Sequence, residues 1–206
     1  MINVRAIRAT DEAAYLDILR RTTDDDRYYR FFRAVDHFDH ADVARFVEPV
    51  PSIIGIIAID DTHGLGVAHA FISDGAAEIA LVVAADAQRR GIGRRLVGGI
   101  LDQLAARGIA TVTAVSLWEN LGFAALARSF GMTATHAPGD GSVVHWRLVL
   151  TTRTSIDLEA HDPITPKPSV SSPPQRPLRR ASRLEPTRSY VFSWRLLRST
   201  ISSMRP

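Results

Sequence analysis

The segment 88-QRRGIGRRL-96 decides how this chain is interpreted, because it joins a strand-like run to a helix-like run. The preceding residues, 77-AEIALVVA-84, are apolar and rich in β-branched side chains, which is typical of a buried strand. The following residues, 92–107, repeat apolar side chains at helical spacing. Because a helix start exposes unpaired N–H groups and glycine lets an anion approach closely, the segment predicts an anion-binding turn. A basic, flexible helix start is the other interpretation.

Two nucleotide-binding motifs do not fit this turn. A dinucleotide-binding Gly-x-Gly-x-x-Gly needs a third glycine where Leu96 stands, and no acidic residue lies in the next predicted strand, 109–115. A P-loop needs Gly-Lys-Ser/Thr, and the only lysine of the chain is Lys167, far from the turn. Neither nucleotide-binding motif therefore explains the turn.

The charge of the chain is divided unevenly between two parts. Residues 1–150 hold 15 Arg against 18 Asp and Glu, a net charge of −3, and residues 151–206 hold 10 Arg and Lys against 4 acidic residues, a net charge of +6. The second part is rich in Pro, Ser and Arg, so we expect a globular domain over 1–150 and a disordered basic tail over 151–206. Because the excess positive charge belongs to the tail, no nucleic-acid binding is expected.

Composition also limits the chemistry and the location. The absence of Cys excludes disulfides, thiolate metal sites and a cysteine nucleophile. No apolar run is long enough to cross a bilayer and the first residues lack a signal-peptide pattern, so we expect a cytoplasmic protein without stable membrane association. The histidines of 37-HFDH-40 specify no third ligand, so no metal is expected.

Hydrophobic periodicity predicts alternating strands and helices over the first 150 residues. Strands are predicted at 2–8, 52–59, 65–72, 77–84, 109–115, 132–137 and 142–150, and helices after residue 10, in parts of 24–47, at 92–108 and at 119–131. Strands that meander and then alternate with crossover helices predict an α/β domain with a mixed sheet covered by helices.

The stretch 88-QRRGIG-93 resembles the Gln/Arg-x-x-Gly-x-Gly/Ala signature of the GCN5-related N-acetyltransferases (GNAT). The spacing Asn120-x5-Leu126-x4-Gly131 resembles a second pattern of that family. The resemblance covers roughly residues 2–150. It implies the GNAT fold, a central mixed and mostly antiparallel sheet flanked by helices, and acetyl-CoA as cosubstrate without a metal.

The resemblance also implies which residues bind acetyl-CoA. In the family this turn holds the pyrophosphate, the preceding strand offers main-chain groups to the pantetheine arm and to the thioester carbonyl, and an Asn lies near that arm. Carried over residue by residue, the expected binding residues are Leu81, Val82, Val83, Gln88, Arg89, Arg90, Gly91, Ile92, Gly93, Arg94 and Asn120.

Glu78 is the candidate general base, since it is the one charged residue in the apolar strand 77–84. A solvent-facing residue or a salt bridge is the structural alternative. The runs 78-EIALVVAADAQRRGIG-93 and 27-RYYRFF-32 resemble the bacterial protein-lysine acetyltransferase branch, in which a Glu at this place acts as base. The resemblance implies direct attack by an amine acceptor, either a protein lysine or a small molecule. Residues 24–47 are expected to shape the acceptor groove, and their acidity suits a cationic amine.

One position departs from the family pattern. Many members carry a tyrosine as general acid seven residues after the Asn, and this chain has Ala127 there, with no other tyrosine expected nearby. The departure leaves two alternatives to the enzyme open: an acyl-CoA-binding regulatory module with weak or no catalysis, and an interaction protein with a degenerate acetyltransferase fold. The oligomeric state is left open as well.

Overall fold

The strands and helices follow one another in the predicted order. The structure is a computed structural model that describes residues 1–61, 63–137 and 140–150, so the predicted tail lies outside the described residues. The strands are β1 (Asn3–Ala6), β2 (Ile53–Ile59), β3 (Gly64–Ser73), β4 (Ala76–Val83), β5 (Thr111–Leu117), β6 (Thr133–Ala137) and β7 (Asp140–Val149). The α-helices are α1 (Glu12–Arg20), α2 (Asp24–Phe31), α3 (His40–Val47), α4 (Ile92–Ala106) and α5 (Leu121–Ser129).

All seven described strands form a single sheet in the order β1-β2-β3-β4-β5-β7-β6. Every neighbouring pair is antiparallel except β4 and β5, which are parallel and joined through α4. A parallel pair needs such a crossover, whereas Asp74 and Gly75, both with positive φ, make the two-residue turn that joins β3 to β4. The predicted mixed, mostly antiparallel sheet flanked by helices is confirmed.

Helices cover both faces of the sheet. On one face α4 lies so close to β3 that a Cβ added at Gly66 would stand 3.1 Å from Leu96 Cδ1, and Phe123 of α5 meets the ring of Trp146 edge-on. On the other face Tyr15 of α1 and Phe46 of α3 pack against His69 of β3. These contacts bury the apolar side of each helix and leave the two sheet faces with different neighbours.

Candidate functional site

The central feature of the sheet is a gap between β4 and β5. Their ladder consists of the three pairs Ala76 with Thr111, Ala77 with Val112 and Glu78 with Thr113. Both strands continue beyond the last pair, β4 to Val83 and β5 to Leu117, without further pairing to each other. The carboxyl half of β4 is therefore bonded to β3 on one side and presents a free backbone edge on the other.

The hydrogen bonds to β3 decide which residues of β4 present main-chain groups to the gap. The N–H of Ala84 donates to Leu65 O (3.0 Å), and the ladder runs from there to Glu78 without a register shift. Main-chain groups alternate sides along an antiparallel strand, so those of Val82 pair with Val67. The main-chain groups of Leu81 and Val83 point to the gap. These two residues are therefore the ones expected to pair with the pantetheine arm.

The turn after β4 has the geometry of an anion cradle. Arg89 (φ +56°) and Gly91 (φ +78°) both adopt the left-handed conformation, and Gly91 stands at the N-cap of α4. In the described chain no backbone N–H of residues 89–94 donates to a protein acceptor. Successive unpaired N–H groups at a helix start bind anions, so the predicted diphosphate turn has suitable donors.

The arginines of the turn are exposed. Arg94 lies over the ring of Phe130 (5.3 Å to the centroid), and Arg89, Arg90 and Arg95 form no ion pair within the described residues. Exposed guanidinium groups without carboxylate partners remain available for the phosphates of a ligand. The Nε2 of Gln88 donates to Asp26 Oδ2 (2.9 Å) and to Val83 O (3.4 Å), which ties the turn to α2 and β4, and contact between Gln88 and a ligand stays a prediction.

Helix α5 closes the other side of the turn. A Cβ added at Gly93 would stand 3.3 Å from Leu126 Cδ2 and 3.5 Å from Leu81 Cδ1, so this glycine lets α4 approach both β4 and α5. Asn120 is the N-cap of α5, and its Oδ1 accepts the N–H of Phe123 (2.9 Å). This oxygen has a structural task in capping the helix, and contact between Asn120 and a ligand stays a prediction.

Glu78 lies where the two strands separate. It belongs to the last β4–β5 pair, opposite Thr113, and it faces Phe71 on β3. Its side chain is half-buried and lies on the sheet face that α1 and α3 cover. A carboxylate at the apex of the gap stands next to the place where a thioester between β4 and β5 would end, so the position suits the predicted base.

The charge of Glu119, which precedes α5, acts on Tyr29 of α2. Ala127 is buried in α5 and is 2% exposed, so it leaves the general-acid position empty. Tyr29 of α2 lies near Glu119 at the start of α5; partial burial and the carboxylates of Asp25 and Glu119 raise the pKa of its phenol. The proximity arises because α2 packs across the ends of β4 and β5, which no local sequence pattern reveals.

Several acidic residues of 24–47 lie at the starts of helices. Asp26 forms a capping box with Thr23 at the start of α2, and Asp39 forms one with Asp42 at the start of α3. Asp24 pairs with Arg27. These contacts give several of the aspartates a structural role at helix starts, where negative charge is stabilising, and their suitability for a cationic acceptor stays a prediction.

The histidines differ in their surroundings. His69 is 1% exposed, its Nε2 lies 3.2 Å from Phe46 O, and burial together with the nearby Arg30 charge lowers its pKa to about 3. His136 differs from it, because that side chain is exposed. Among the described residues no group of three or more potential ligands could hold a metal, and His40 instead pairs with Glu12.

Residues 13–132 match the model of the family described as "Acetyltransferase (GNAT) family". The solved GNAT domain of PAT from S. lividans is similar in fold, with a TM-score of 0.67 and 24% identity over 72% of this chain and 90% of that one. In the part of the chain that the structure describes, no helix combines the length and the apolar character needed to span a membrane.

Two further solved structures share the fold and carry acetyl-CoA. One is yncA from Salmonella typhimurium, with a TM-score of 0.61 and 18% identity over 76% of this chain and 98% of that one. The other is a phosphinothricin acetyltransferase from Sinorhizobium meliloti, with the same TM-score and identity over 76% of this chain and 92% of that one. Acetyl-CoA is thus present in two proteins that share this fold.

Proposed function

The chain belongs to the acetyltransferase (GNAT) family and is an acetyl-CoA-dependent acyltransferase, and from that premise we propose that it acetylates an amine by direct attack with Glu78 as general base. The observation that carries the proposal is the gap between β4 and β5, which has Glu78 at its apex and the turn 88–93 beyond its open end. An amine acceptor and a long cosubstrate can meet only at such an opening.

The residues of the turn and of β4 fit acetyl-CoA. The unpaired N–H groups of residues 89–94 would hold the diphosphate, and the exposed arginines would contact the phosphates. Leu81 and Val83 would offer main-chain N–H and C=O groups to the pantetheine arm and to the thioester carbonyl. When bound, acetyl-CoA supplies the acetyl group as an activated thioester.

Glu78 acts on the acceptor. An amine is a nucleophile only when neutral, so a carboxylate at the apex of the gap would take its proton, either directly or through one water. The chain has no cysteine to carry the acetyl group, which favours a ternary complex over an acyl-enzyme. A proton is also needed at the departing sulfur, and Tyr29 holds a phenolic proton near the start of α5.

Two measurements test this function. Calorimetry with acetyl-CoA should show binding, and release of free thiol on addition of primary amines should show turnover. Binding without thiol release from any amine would support the regulatory-module alternative, and no binding would contradict the acetyltransferase function. For the proton donor, Tyr29→Phe should lower kcat and leave acetyl-CoA affinity intact; an unchanged kcat would assign the proton to water.

A further inference from the structure

Helix α2 contains a buried arginine without a counter-ion among the described residues. Arg30 is 7% exposed, and its Nη2 has no hydrogen-bond partner. No carboxylate of the described residues forms an ion pair with it. Arg30 lies over the ring of Phe31 (5.2 Å to the centroid) and contacts the phenol of Tyr15, and both of these partners are uncharged. A buried cation without a carboxylate, and with one nitrogen unsatisfied, is unfavourable, so it can gain free energy by binding an anion.

The neighbours of Arg30 add no negative charge. Burial raises the pKa of Tyr15, and this effect exceeds the opposite effect of Arg30 and Arg45. The phenol of Tyr15 therefore stays neutral. His69 stacks on Tyr15 at 5.5 Å between ring centroids and is neutral above its low pKa. Arg45 of α3 contributes a second buried nitrogen without a partner, its Nε. The cluster of Tyr15, Arg30, Arg45 and His69 is therefore positive overall.

The cluster lies on the same side of the sheet as the candidate base. His69 pairs with Ala80 and Phe71 with Glu78, so His69 and Glu78 are diagonal neighbours on one face of β3 and β4. Such neighbours have Cα atoms about 7–8 Å apart. The charge of Arg30 acts on His69, so Arg30 and Glu78 belong to the same face of the sheet.

We propose that Arg30 binds a carboxylate of the acceptor, so that the substrate is an amino acid or an amino-acid-like compound with a primary amine and a carboxylate a few bonds apart. The inference rests on the proposed acetyltransferase function. The amine would face Glu78 while the planar guanidinium, the side chain best suited to a carboxylate, holds the other end.

Matched pairs of acceptors test the proposal on the unaltered enzyme. Thiol release is measured with lysine against cadaverine, phenylalanine against phenethylamine, and methionine against 3-(methylthio)propylamine, each pair differing by the carboxylate. A charge-assisted contact predicts a KM about tenfold to a hundredfold lower for the amino acid of a productive pair. Equal KM values within every productive pair, or thiol release with protein lysines alone, would overturn the carboxylate site and leave the acetyltransferase function standing.

A substitution separates binding from structure. Arg30→Met keeps the length of the side chain and removes the charge, so the acceptor KM should rise by about the same factor while acetyl-CoA affinity stays constant. Its unfolding midpoint should be equal or higher, because the substitution removes a buried charge and breaks no ion pair. Arg33→Met, an exposed position three residues further, is the control and should change neither value. A large fall in the unfolding midpoint of Arg30→Met, with no rise in KM, would show a structural arginine instead.

The two hypotheses fail in different ways. Loss of acetyl-CoA binding or of thiol release with every amine contradicts the acetyltransferase proposal itself. Turnover that does not depend on the acceptor carboxylate, combined with normal acetyl-CoA binding, contradicts only the role of Arg30. Calorimetry with acetyl-CoA is therefore run first on the native protein, on Arg30→Met and on Arg33→Met.

Discussion

The arginines on the two sides of the β4–β5 gap differ in exposure. On the side of α4, Arg89, Arg90 and Arg95 are exposed and surround a turn whose N–H groups are unpaired. On the side of α2, the aspartates are exposed and Arg30 is buried without a carboxylate. The first arrangement suits the phosphates of a mobile, highly charged cosubstrate. The second suits one small anion in a fixed position, because only a bound partner offsets the loss of hydration.

The largest expected effect is at the apex between the two sides. Glu78→Gln keeps the shape of the side chain and removes the base, so kcat should fall by about a hundredfold to ten-thousandfold, with acetyl-CoA affinity unchanged. Steady-state kinetics and calorimetry measure the two quantities. Glu48→Gln, at an exposed position after α3, is the control. A kcat within twofold of the native value would remove Glu78 from the mechanism.

The exposed arginines should give the next largest effect. Replacing Arg89, Arg90, Arg94 and Arg95 together by Gln removes several charge-assisted contacts and should weaken CoA binding by about a hundredfold. Dephospho-CoA should lose less, since one of its phosphates is already absent. If the two ligands lose affinity equally, the arginines do not contact the 3′-phosphate, and the comparison with Arg30 would rest on the backbone of the turn alone.

The buried side of the gap should be sensitive to acid through His69. Its folded pKa, about 3, is below the ordinary value of 6.5, so the unfolded chain binds the proton first as the pH falls. Stability is therefore complete above pH 6.5 and declines between pH 6.5 and 3, by about 2 kcal/mol at pH 5. Denaturant unfolding at pH 7 and pH 5 measures this, with exposed His136→Asn as control. A His69→Asn variant that keeps the full native pH dependence would refute the assignment.

The smallest expected effects are those of alanine substitutions at two glycines, which lie at opposite ends of α4. Gly91 (φ +78°) and Gly108 (φ +72°) are both left-handed, and a Cβ at either would meet no atom within 4 Å. Alanine at each should therefore lower the free energy of unfolding by about 1 kcal/mol through backbone strain alone. Only Gly91→Ala should also weaken acetyl-CoA binding, because its position forms the cradle. Equal acetyl-CoA affinities of the two variants would contradict the cradle.

Sequence patterns predict the strands, helices and turn around the gap because each of these elements depends on residues that are consecutive in the chain. Alternation and apolar runs mark the strands, and the two glycines of 88–93 mark a turn with special backbone angles. The acidity of residues 24–47 has a further cause that the same reasoning does not show, because several of the aspartates are capping residues. Those aspartates cap the starts of α2 and α3, and a capping role depends on where each helix begins, which periodicity places only approximately.

Long-range packing explains the rest of what the sequence misses. Tyr29 reaches Glu119 because α2 lies across β4 and β5, and Val82 turns its main-chain groups to Val67 because of the β3 register. Arg30 is indistinguishable in sequence from the exposed Arg33, three residues along the same polar stretch. Which of two such arginines is buried depends on the partner surface, and that surface is formed by residues 15, 45 and 69.

The sequence by itself determined the family, the order of strands and helices, and the strand–turn–helix element that fits a diphosphate, because all three depend on local backbone preferences and short-range spacing. Only the tertiary structure decided where β4 and β5 separate, which main-chain groups face the gap and which arginine is buried. Those properties depend on residues far apart in the chain, and burial sets the energy of a charge only after the fold has formed.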